Sequence, residues 1–255
     1  MPENRPNSDL FAEKDCSGGA FCRQYPSGQP TRAFGSIVGL SPEWLERYEV
    51  LHRHVFPGVL GRLERSNIRN YSIFLGPARE DVPATPDGPV LTLFSHLEYV
   101  GADHAADMAA IAADETTREW WKLTDPMQTP LPERAEGTWW ASLTAWHTVE
   151  PPPDVAAASP ANLRRVAIAT KRPGDIGGEV QARFAACVAR FAESIRTLRA
   201  LASRHHVYLY LETLPDFRQA AFVEAADRAL GGATNPALLR EVFHMDGATA
   251  PRDAM

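Results

Sequence analysis

The sequence has few cysteines, no excess of basic residues and no long apolar run. Its three cysteines, Cys16, Cys22 and Cys187, form no Cys-x-x-Cys pair, which argues against a zinc-binding ribbon. A Cys16–Cys22 disulfide is conceivable, but so few cysteines favour a reduced, cytoplasmic protein. The net charge of −6 argues against a nucleic-acid or membrane-surface partner. No apolar run approaches the ~20 residues of a membrane span, and residues 1–14 lack a signal-peptide core.

Tryptophan is absent from the later part of the chain, since all six lie at or before Trp146. An aromatic-lined pocket is therefore expected in the first half. The pairs Trp120-Trp121 and Trp139-Trp140 offer flat apolar faces that suit the C–H face of a sugar ring. Adjacent residues of a regular element cannot both face one side. We expect sugar stacking from at least one of Trp120 and Trp121, and core packing from Trp139 and Trp140.

One histidine lies at helical spacing from a tyrosine. Ser41-Pro42-Glu43 predicts a helix start, with an N-cap, a proline at the first position and an acid in the first turn. Tyr48 and His52 then share one helix face, because they are four residues apart. An imidazole moves protons near neutral pH, and a proton carrier beside a stacking surface is what a carbohydrate isomerisation needs. The alternative is that both side chains simply pack on a sheet.

The order of predicted elements in the first half is ferredoxin-like. Periodicity and turn residues predict strands at 30–40, 68–75, 90–99 and 141–149, a helix over 42–66 bent at Pro57, and a helix over 103–113. Strand, helix, strand, strand, helix, strand is the ferredoxin-like order. The proline- and alanine-rich stretch 151–162 is expected to be a stiff linker. Residues 1–29 are expected to be a flexible leader, and 248–255 a tail.

The second half is predicted to repeat this order, with one hairpin strand unrecognised. It contains predicted strands at 166–170, 206–213 and 239–246, and predicted helices over 179–203 and 216–230. Sheets of such units usually pack face to face and bury each other. We therefore predict an α+β fold in which tandem ferredoxin-like repeats, 30–150 and 163–247, form a dimeric α+β barrel within one chain. The protein would be a monomer with an internal pseudo-dimer, or a homodimer.

Several segments together carry a family resemblance. They are Tyr48-x-x-x-His52 with Pro57, the stretch 68–75 (Ile-Arg-Asn-Tyr-Ser-Ile-Phe-Leu), 107–113, and 120–126 (Trp-Trp-Lys-Leu-Thr-Asp-Pro). In order and spacing, residues 34–147 resemble the L-rhamnose mutarotase family, whose members are dimeric α+β barrels that interconvert sugar anomers. The second half, 163–247, would be a degenerate copy that closes the barrel.

The resemblance implies roles for five residues. His52 would be the proton donor, with Tyr48 beside it in the catalytic pair. Tyr71, Trp120 and Trp121 would bind the substrate, together with the Tyr48 hydroxyl. The implied reaction is exchange of α and β anomers of a 6-deoxy-L-sugar such as L-rhamnose or L-fucose, with no cofactor.

No metal site is expected from the histidines. His52 and His54 point about 200° apart on a helix and cannot hold one ion. His205 and His206 precede a strand, on which neighbours face opposite sides. Glu98, on the third predicted strand, is either a second proton carrier or a solvated carboxylate.

Two alternative functions stay open. The first is a cofactor-independent cyclase, isomerase or oxygenase acting on an aromatic natural product. A fold does not determine its chemistry, and a tryptophan-lined pocket also suits a planar polycycle. The second is a non-catalytic binding protein derived from a mutarotase.

Overall fold

Both halves of the chain contain strands and helices in turn. The structure, a computed structural model, describes residues 31–79, 90–150, 163–232 and 235–245. The first half contains β1 (Arg32–Leu40), α1 (Leu45–Arg53), α2 (Pro57–Arg65), β2 (Ile68–Gly76), β3 (Leu91–Tyr99), α3 (His104–Ala113), α4 (Glu115–Thr124), β4 (Gln128–Thr129), β5 (Ala141–Ser142) and β6 (Thr144–Val149). A short 3-10 turn precedes α1 and another follows α4.

The second half is a complete ferredoxin-like unit. It contains β7 (Arg164–Lys171), α5 (Gly178–Ala189), β8 (Ile195–Ala202), β9 (His206–Thr213), α6 (Gln219–Ala229) and β10 (Ala237–Met245). The prediction of one helix over 179–203 was wrong beyond Ala189, because the unrecognised hairpin strand is β8. The apolar spacing continues past the turn into Ile195 and Leu198, yet β8 pairs with both β6 and β9. Pairing between distant segments overrides a local helical pattern.

The predicted helix over 42–66 is broken and not merely bent. Proline has no N–H and restricts the residue before it to extended conformations. Phe56 accordingly has φ −55° and ψ 126°, and a new helix, α2, begins at Pro57.

The two halves exchange their last strands. β5 pairs with β1 of its own half, and β6, which follows after Leu143, pairs with β8 of the second half. Reciprocally, β10 pairs with β7 and with β2 of the first half. The sheet has the strand order β1-β3-β2-β10-β7-β9-β8-β6. Because β6 continues from β5 and β5 pairs with β1, the sheet closes into a ring. The predicted intrachain α+β barrel is thereby confirmed.

Side chains from both halves meet inside the barrel. Phe94 of β3 stacks on Tyr208 of β9, with ring centroids 5.3 Å apart, and His96 stacks on Tyr210 with centroids 3.7 Å apart. The outer face of the second-half sheet is covered by α5 and α6 in one apolar cluster. The outer face of the first-half sheet carries α1–α4, and the candidate site lies there.

The leader at 1–29, the linker at 151–162 and the tail at 248–255 lie outside the described residues, and so do Cys16 and Cys22. Cys187 is buried with a free thiol. Within the described ranges, no helix is both long and apolar enough to cross a membrane.

Candidate active site

A cavity of about 170 Å³ lies between the outer face of the first-half sheet and helices α1–α4. Strands β1, β2 and β3 contribute to its floor, and all four helices contribute to its walls. The five residues predicted from the sequence all line it, namely Tyr48, His52, Tyr71, Trp120 and Trp121. They come from α1, β2 and α4, so the tertiary fold brings together three separate segments.

Helix α1 places a tyrosine and a histidine one above the other. Tyr48 and His52 are the two buried residues of this helix. Their rings stack with centroids 3.9 Å apart and planes inclined by 28°. This is the shared face expected for residues four apart.

The contacts of His52 determine its protonation. Its Nδ1 lies 2.9 Å from the Tyr48 carbonyl oxygen, which can only accept a hydrogen bond. Nδ1 therefore carries the proton, and Nε2 is left as an acceptor. Burial lowers the pKa of His52 from 6.5 to about 4, against the smaller opposing effect of that backbone hydrogen bond. At neutral pH the cavity contains a neutral imidazole.

Two tyrosine hydroxyls are held in their neutral form. Burial raises the pKa of Tyr48 well above its usual value, and the neighbouring Tyr71 adds to that rise. Burial likewise raises the pKa of Tyr71. Among the described residues, the Tyr48 hydroxyl makes no well-formed hydrogen bond, although the Gln128 side chain partly opposes the rise in its pKa. Both hydroxyls can therefore donate hydrogen bonds to a ligand without losing a proton.

Helix α4 presents the tryptophan pair. Asp114 caps this helix by accepting a hydrogen bond from the Thr117 amide at 2.8 Å. Trp120 is buried and meets His52 edge-on, with ring centroids 5.3 Å apart. Trp121 lines the cavity as well and packs against the cluster around Met108. Both rings therefore reach the cavity from adjacent positions on one helix.

Four further residues of the site were not expected from the sequence. Gln128, Trp139 and Trp140 line the cavity from the segment after α4. The core-packing prediction for Trp139 and Trp140 was thus incomplete, since both also face the cavity. Phe243 of β10 lies with its ring centroid 6.0 Å from that of His52, so the second half supports the site. That contact depends on the strand exchange, which no local pattern indicates.

The two ends of the cavity differ in polarity. One end is formed by an apolar cluster of Ile68, Leu97, Met108 and Ile111, with Leu63 packed beside it. The other end carries the Tyr48 hydroxyl, the Gln128 amide and the indole rings of Trp139 and Trp140. The cavity therefore suits a small molecule with polar groups at one end and an apolar group at the other.

Comparison with known proteins shows what this part of the chain resembles. The model of the family described as L-rhamnose mutarotase matches residues 33–148. These residues, somewhat less than half of the chain, are therefore similar to that family. An L-rhamnose mutarotase from Oceanobacillus iheyensis is 26% identical over 93 residues, which cover 36% of this chain and 76% of that protein.

A solved structure from Lactobacillus acidophilus NCFM, suggested to be a monooxygenase, also aligns with the chain. The alignment covers 84% of this chain and 96% of the other, with a TM-score of 0.47 and 8% identity. A likeness of that size has no bearing on function.

The carboxylate on β3 lies away from this cavity. Glu98 is fully buried and follows Leu97, whose side chain lines the cavity from the opposite face of the strand. Glu98 therefore faces the barrel interior, and it is neither a proton carrier at this cavity nor a solvated carboxylate. In the described part of the chain, no three His, Cys, Asp or Glu side chains are grouped to hold a metal ion.

In the second half, apolar side chains fill the layer that corresponds to the cavity of the first half. Between its sheet and its helices α5 and α6, four phenylalanines fill the space: Phe184, Phe191, Phe217 and Phe222. Their rings contact one another, as Phe191 and Phe222 do with centroids 5.3 Å apart. The tyrosine and histidine pair of α1 has no counterpart on α5.

Proposed function

We propose that this protein is a cofactor-free mutarotase that interconverts the α and β anomers of a 6-deoxy-L-sugar such as L-rhamnose or L-fucose. The observation that carries the proposal is the meeting of Tyr48, His52, Tyr71, Trp120 and Trp121 around one cavity within the mutarotase-family segment. These residues combine a proton acceptor, hydroxyl donors and flat apolar surfaces.

The size of the cavity supports a monosaccharide. Pockets for drug-sized ligands usually occupy ~300–1,000 Å³, whereas this one occupies about 170 Å³. A planar polycycle needs more room than a single pyranose ring. No observation therefore favours the alternative of a natural-product cyclase or oxygenase.

The apolar end of the cavity supports a deoxy sugar. Leu97, Met108 and Ile111 offer no hydrogen-bonding side-chain atoms there. A C6 methyl group would be buried favourably among them, whereas a C6 hydroxyl would lose its hydrogen bonds to water. The preference for a 6-deoxy sugar over its C6-hydroxyl counterpart should arise from the cost of removing that hydroxyl from water.

The proton chemistry is assigned to His52. Its neutral Nε2 takes the proton of the anomeric hydroxyl while the C1–O5 bond breaks, so that C1 becomes a carbonyl and O5 leaves with the electron pair. The imidazolium then gives that proton to O5. Rotation about C1–C2 presents the other face of the carbonyl, and the reverse steps close the ring. The imidazole thus donates a proton only after it has first accepted one.

The two hydroxyls are assigned to stabilise the charge on O5. Tyr48 and Tyr71 have raised pKa values and stay protonated. Hydrogen-bond donors aimed at a developing oxyanion in a dry site lower the barrier. The tryptophan faces would hold the sugar in ring and open forms alike.

The experiment is exchange NMR on single sugars. Saturation of the α anomeric proton of L-rhamnose should transfer to the β signal faster with protein than in buffer. L-Mannose, which differs from L-rhamnose by a C6 hydroxyl, should be converted with a clearly lower kcat/KM. His52→Ala protein is the matched control. If wild-type protein binds these sugars without accelerating exchange, the binding-protein alternative is correct. If it neither binds nor converts any of them, the sugar proposal fails.

A further inference from the structure

Gln128 occupies a defined position at the polar end of the cavity. It opens β4, which pairs with β1 through Leu40 and Gln128. The backbone of the preceding Met127 is also held, because its carbonyl accepts a hydrogen bond from the Ser41 amide at 3.1 Å. The side chain of Gln128 therefore extends from a well-supported backbone into the cavity wall.

Trp139 determines which way the Gln128 amide faces. The indole Nε1 lies 2.8 Å from Oε1 of Gln128. An indole N–H can only donate, so the atom that it meets must be the carbonyl oxygen. The carbonyl oxygen of an amide accepts hydrogen bonds and its NH2 group donates them, and this contact identifies which atom is which in Gln128. The NH2 group is thereby turned away from Trp139.

The NH2 group of Gln128 has two donors to satisfy. The oxygen of this side chain accepts from Trp139, and the side chain also approaches the Tyr48 hydroxyl closely enough to oppose part of the rise in its pKa. Among the described residues, the Tyr48 hydroxyl still lacks a well-formed hydrogen bond, and pairing with it would occupy one Gln128 N–H at most. Polar groups in a mostly apolar site are costly unless they find partners. An oxygen-rich ligand would satisfy both.

We propose that Gln128 is a substrate-binding residue whose NH2 group donates hydrogen bonds to oxygen atoms of the monosaccharide, and that Trp139 is the positioning residue that holds this amide in place. The proposal rests on the proposed function in that it takes the cavity to bind a sugar. It adds a recognition contact from a segment outside the tyrosine, histidine and tryptophan motifs.

The contact should act on binding more than on chemistry. A hydrogen bond to a hydroxyl that does not react is present in the bound sugar and in the transition state alike, so its loss raises KM and leaves kcat nearly unchanged. A neutral hydrogen bond contributes ~0.5–1.5 kcal/mol, which corresponds to roughly a 3- to 10-fold change in KM. Loss of a purely structural contact would lower the melting temperature without this pattern.

The test uses Gln128→Glu, Trp139→Phe and the matched control Trp146→Phe. Glutamate keeps an oxygen acceptor for Trp139 but has no N–H donors at neutral pH, so folding should be preserved. Trp139→Phe removes the indole donor, and Trp146→Phe makes the same change away from the cavity, where the Trp146 indole donates to the Ile176 carbonyl. We expect KM for L-rhamnose to rise about 3- to 10-fold in the first two variants and to stay within about twofold in the third. Melting temperatures are measured in parallel.

A double variant separates positioning from direct contact. If Trp139 acts through Gln128, the Gln128→Glu/Trp139→Phe protein should have a KM no higher than Gln128→Glu alone, because the effects are not additive. Unchanged KM in Gln128→Glu, or equal effects of Trp139→Phe and Trp146→Phe, would overturn the Gln128 proposal, while exchange by wild type would leave the mutarotase proposal intact. Should wild type bind L-rhamnose without converting it, the same comparison is made on dissociation constants from saturation-transfer difference NMR. If wild type binds no sugar, the Gln128 proposal and the mutarotase proposal both fail.

Discussion

The Asn70 side chain donates a hydrogen bond to the Glu212 carboxylate, with 2.9 Å between Nδ2 and Oε1. Asn70 belongs to β2 of the first half and Glu212 to β9 of the second, and both are buried. The Tyr210 hydroxyl lies 3.2 Å from the same carboxylate oxygen and 3.1 Å from Asn70 Oδ1, so its single proton is shared between these two acceptors. A closed polar network thus links the two halves directly behind the cavity.

This network lies at a β-bulge that turns Tyr71 toward the cavity. Between its pairs Arg69–Glu98 and Ser72–His96, β2 has one residue more than β3. Asn70 has φ +44°, a left-handed conformation that asparagine tolerates better than most residues. Because a one-residue insertion reverses the facing of the later residues in the strand, Ile68 and Tyr71 both line the cavity although they are three residues apart.

Replacing Glu212 by alanine should therefore affect both stability and the site. Asn70 and Tyr210 would lose a buried acceptor, which should lower the free energy of unfolding in urea by about 1–3 kcal/mol. KM for the sugar should rise as Tyr71 loses its support. Glu193→Ala, at an exposed position of the same half, is the control and should change stability by less than ~0.5 kcal/mol. Equal effects of the two changes would show that the network does not support Tyr71.

Replacing His52 by alanine should remove the proton carrier. General acid–base groups typically contribute ~10²–10⁴-fold in rate, so kcat for anomer exchange should fall by that factor. Tyr48→Phe should have a milder effect, because that hydroxyl is assigned to charge stabilisation. Exchange NMR at saturating sugar measures both. Full activity in the His52→Ala protein would remove His52 from the mechanism.

On the acidic side, activity should fall only at a pH well below the range in which an ordinary histidine titrates. Burial lowers the pKa of His52 to about 4. Exchange above the buffer rate should stay constant from pH 7 to about 5 and halve near pH 4. A midpoint near 6.5 would mean that the imidazole is solvated when it acts.

The same shift predicts a pH dependence of stability. The unfolded imidazole binds a proton below about pH 6.5, whereas the folded one does so only near pH 4. The stability linked to His52 is therefore present above pH 6.5 and is lost as the pH falls toward 4, by roughly 3 kcal/mol in total. The difference between wild type and His52→Phe in urea unfolding at several pH values isolates this contribution.

Replacing Trp121 or Trp120 by alanine should weaken binding more than it slows the bound reaction. Stacking on a sugar face is present in the ground and transition states alike, so KM should rise while kcat changes less. Trp146→Ala removes a ring that packs against the second-half core, away from the cavity, and serves as the control. A fall in kcat with constant KM in the Trp121→Ala protein would contradict the stacking role.

One sugar should bind per chain. The corresponding layer of the second half is filled by Phe184, Phe191, Phe217 and Phe222, so no second cavity of this kind exists among the described residues. Titration followed by saturation-transfer difference NMR should give a single dissociation constant that disappears with the Trp120→Ala/Trp121→Ala double change. Residual binding in that variant would reveal a second site.

The sequence by itself determined the local geometry of the site. The spacing of Tyr48 and His52 depends only on the helical repeat, and the helical start at Pro42 depends on neighbouring residues. Strand alternation and turn residues likewise indicated the ferredoxin-like order of the first half. These features could be predicted because each is set within a few residues of chain.

Only the tertiary structure decided the contacts that depend on strand exchange and register. The apolar spacing of β8 is typical of a helix, and only its pairing with β6 and β9 identifies it as a strand. Phe243 reaches His52 because β10 crosses to β2, and Trp139 reaches Gln128 because β4 and β5 both pair with β1. Hydrogen-bond pairing joins segments that are distant in sequence, and the energy of those contacts depends on the whole barrel closing.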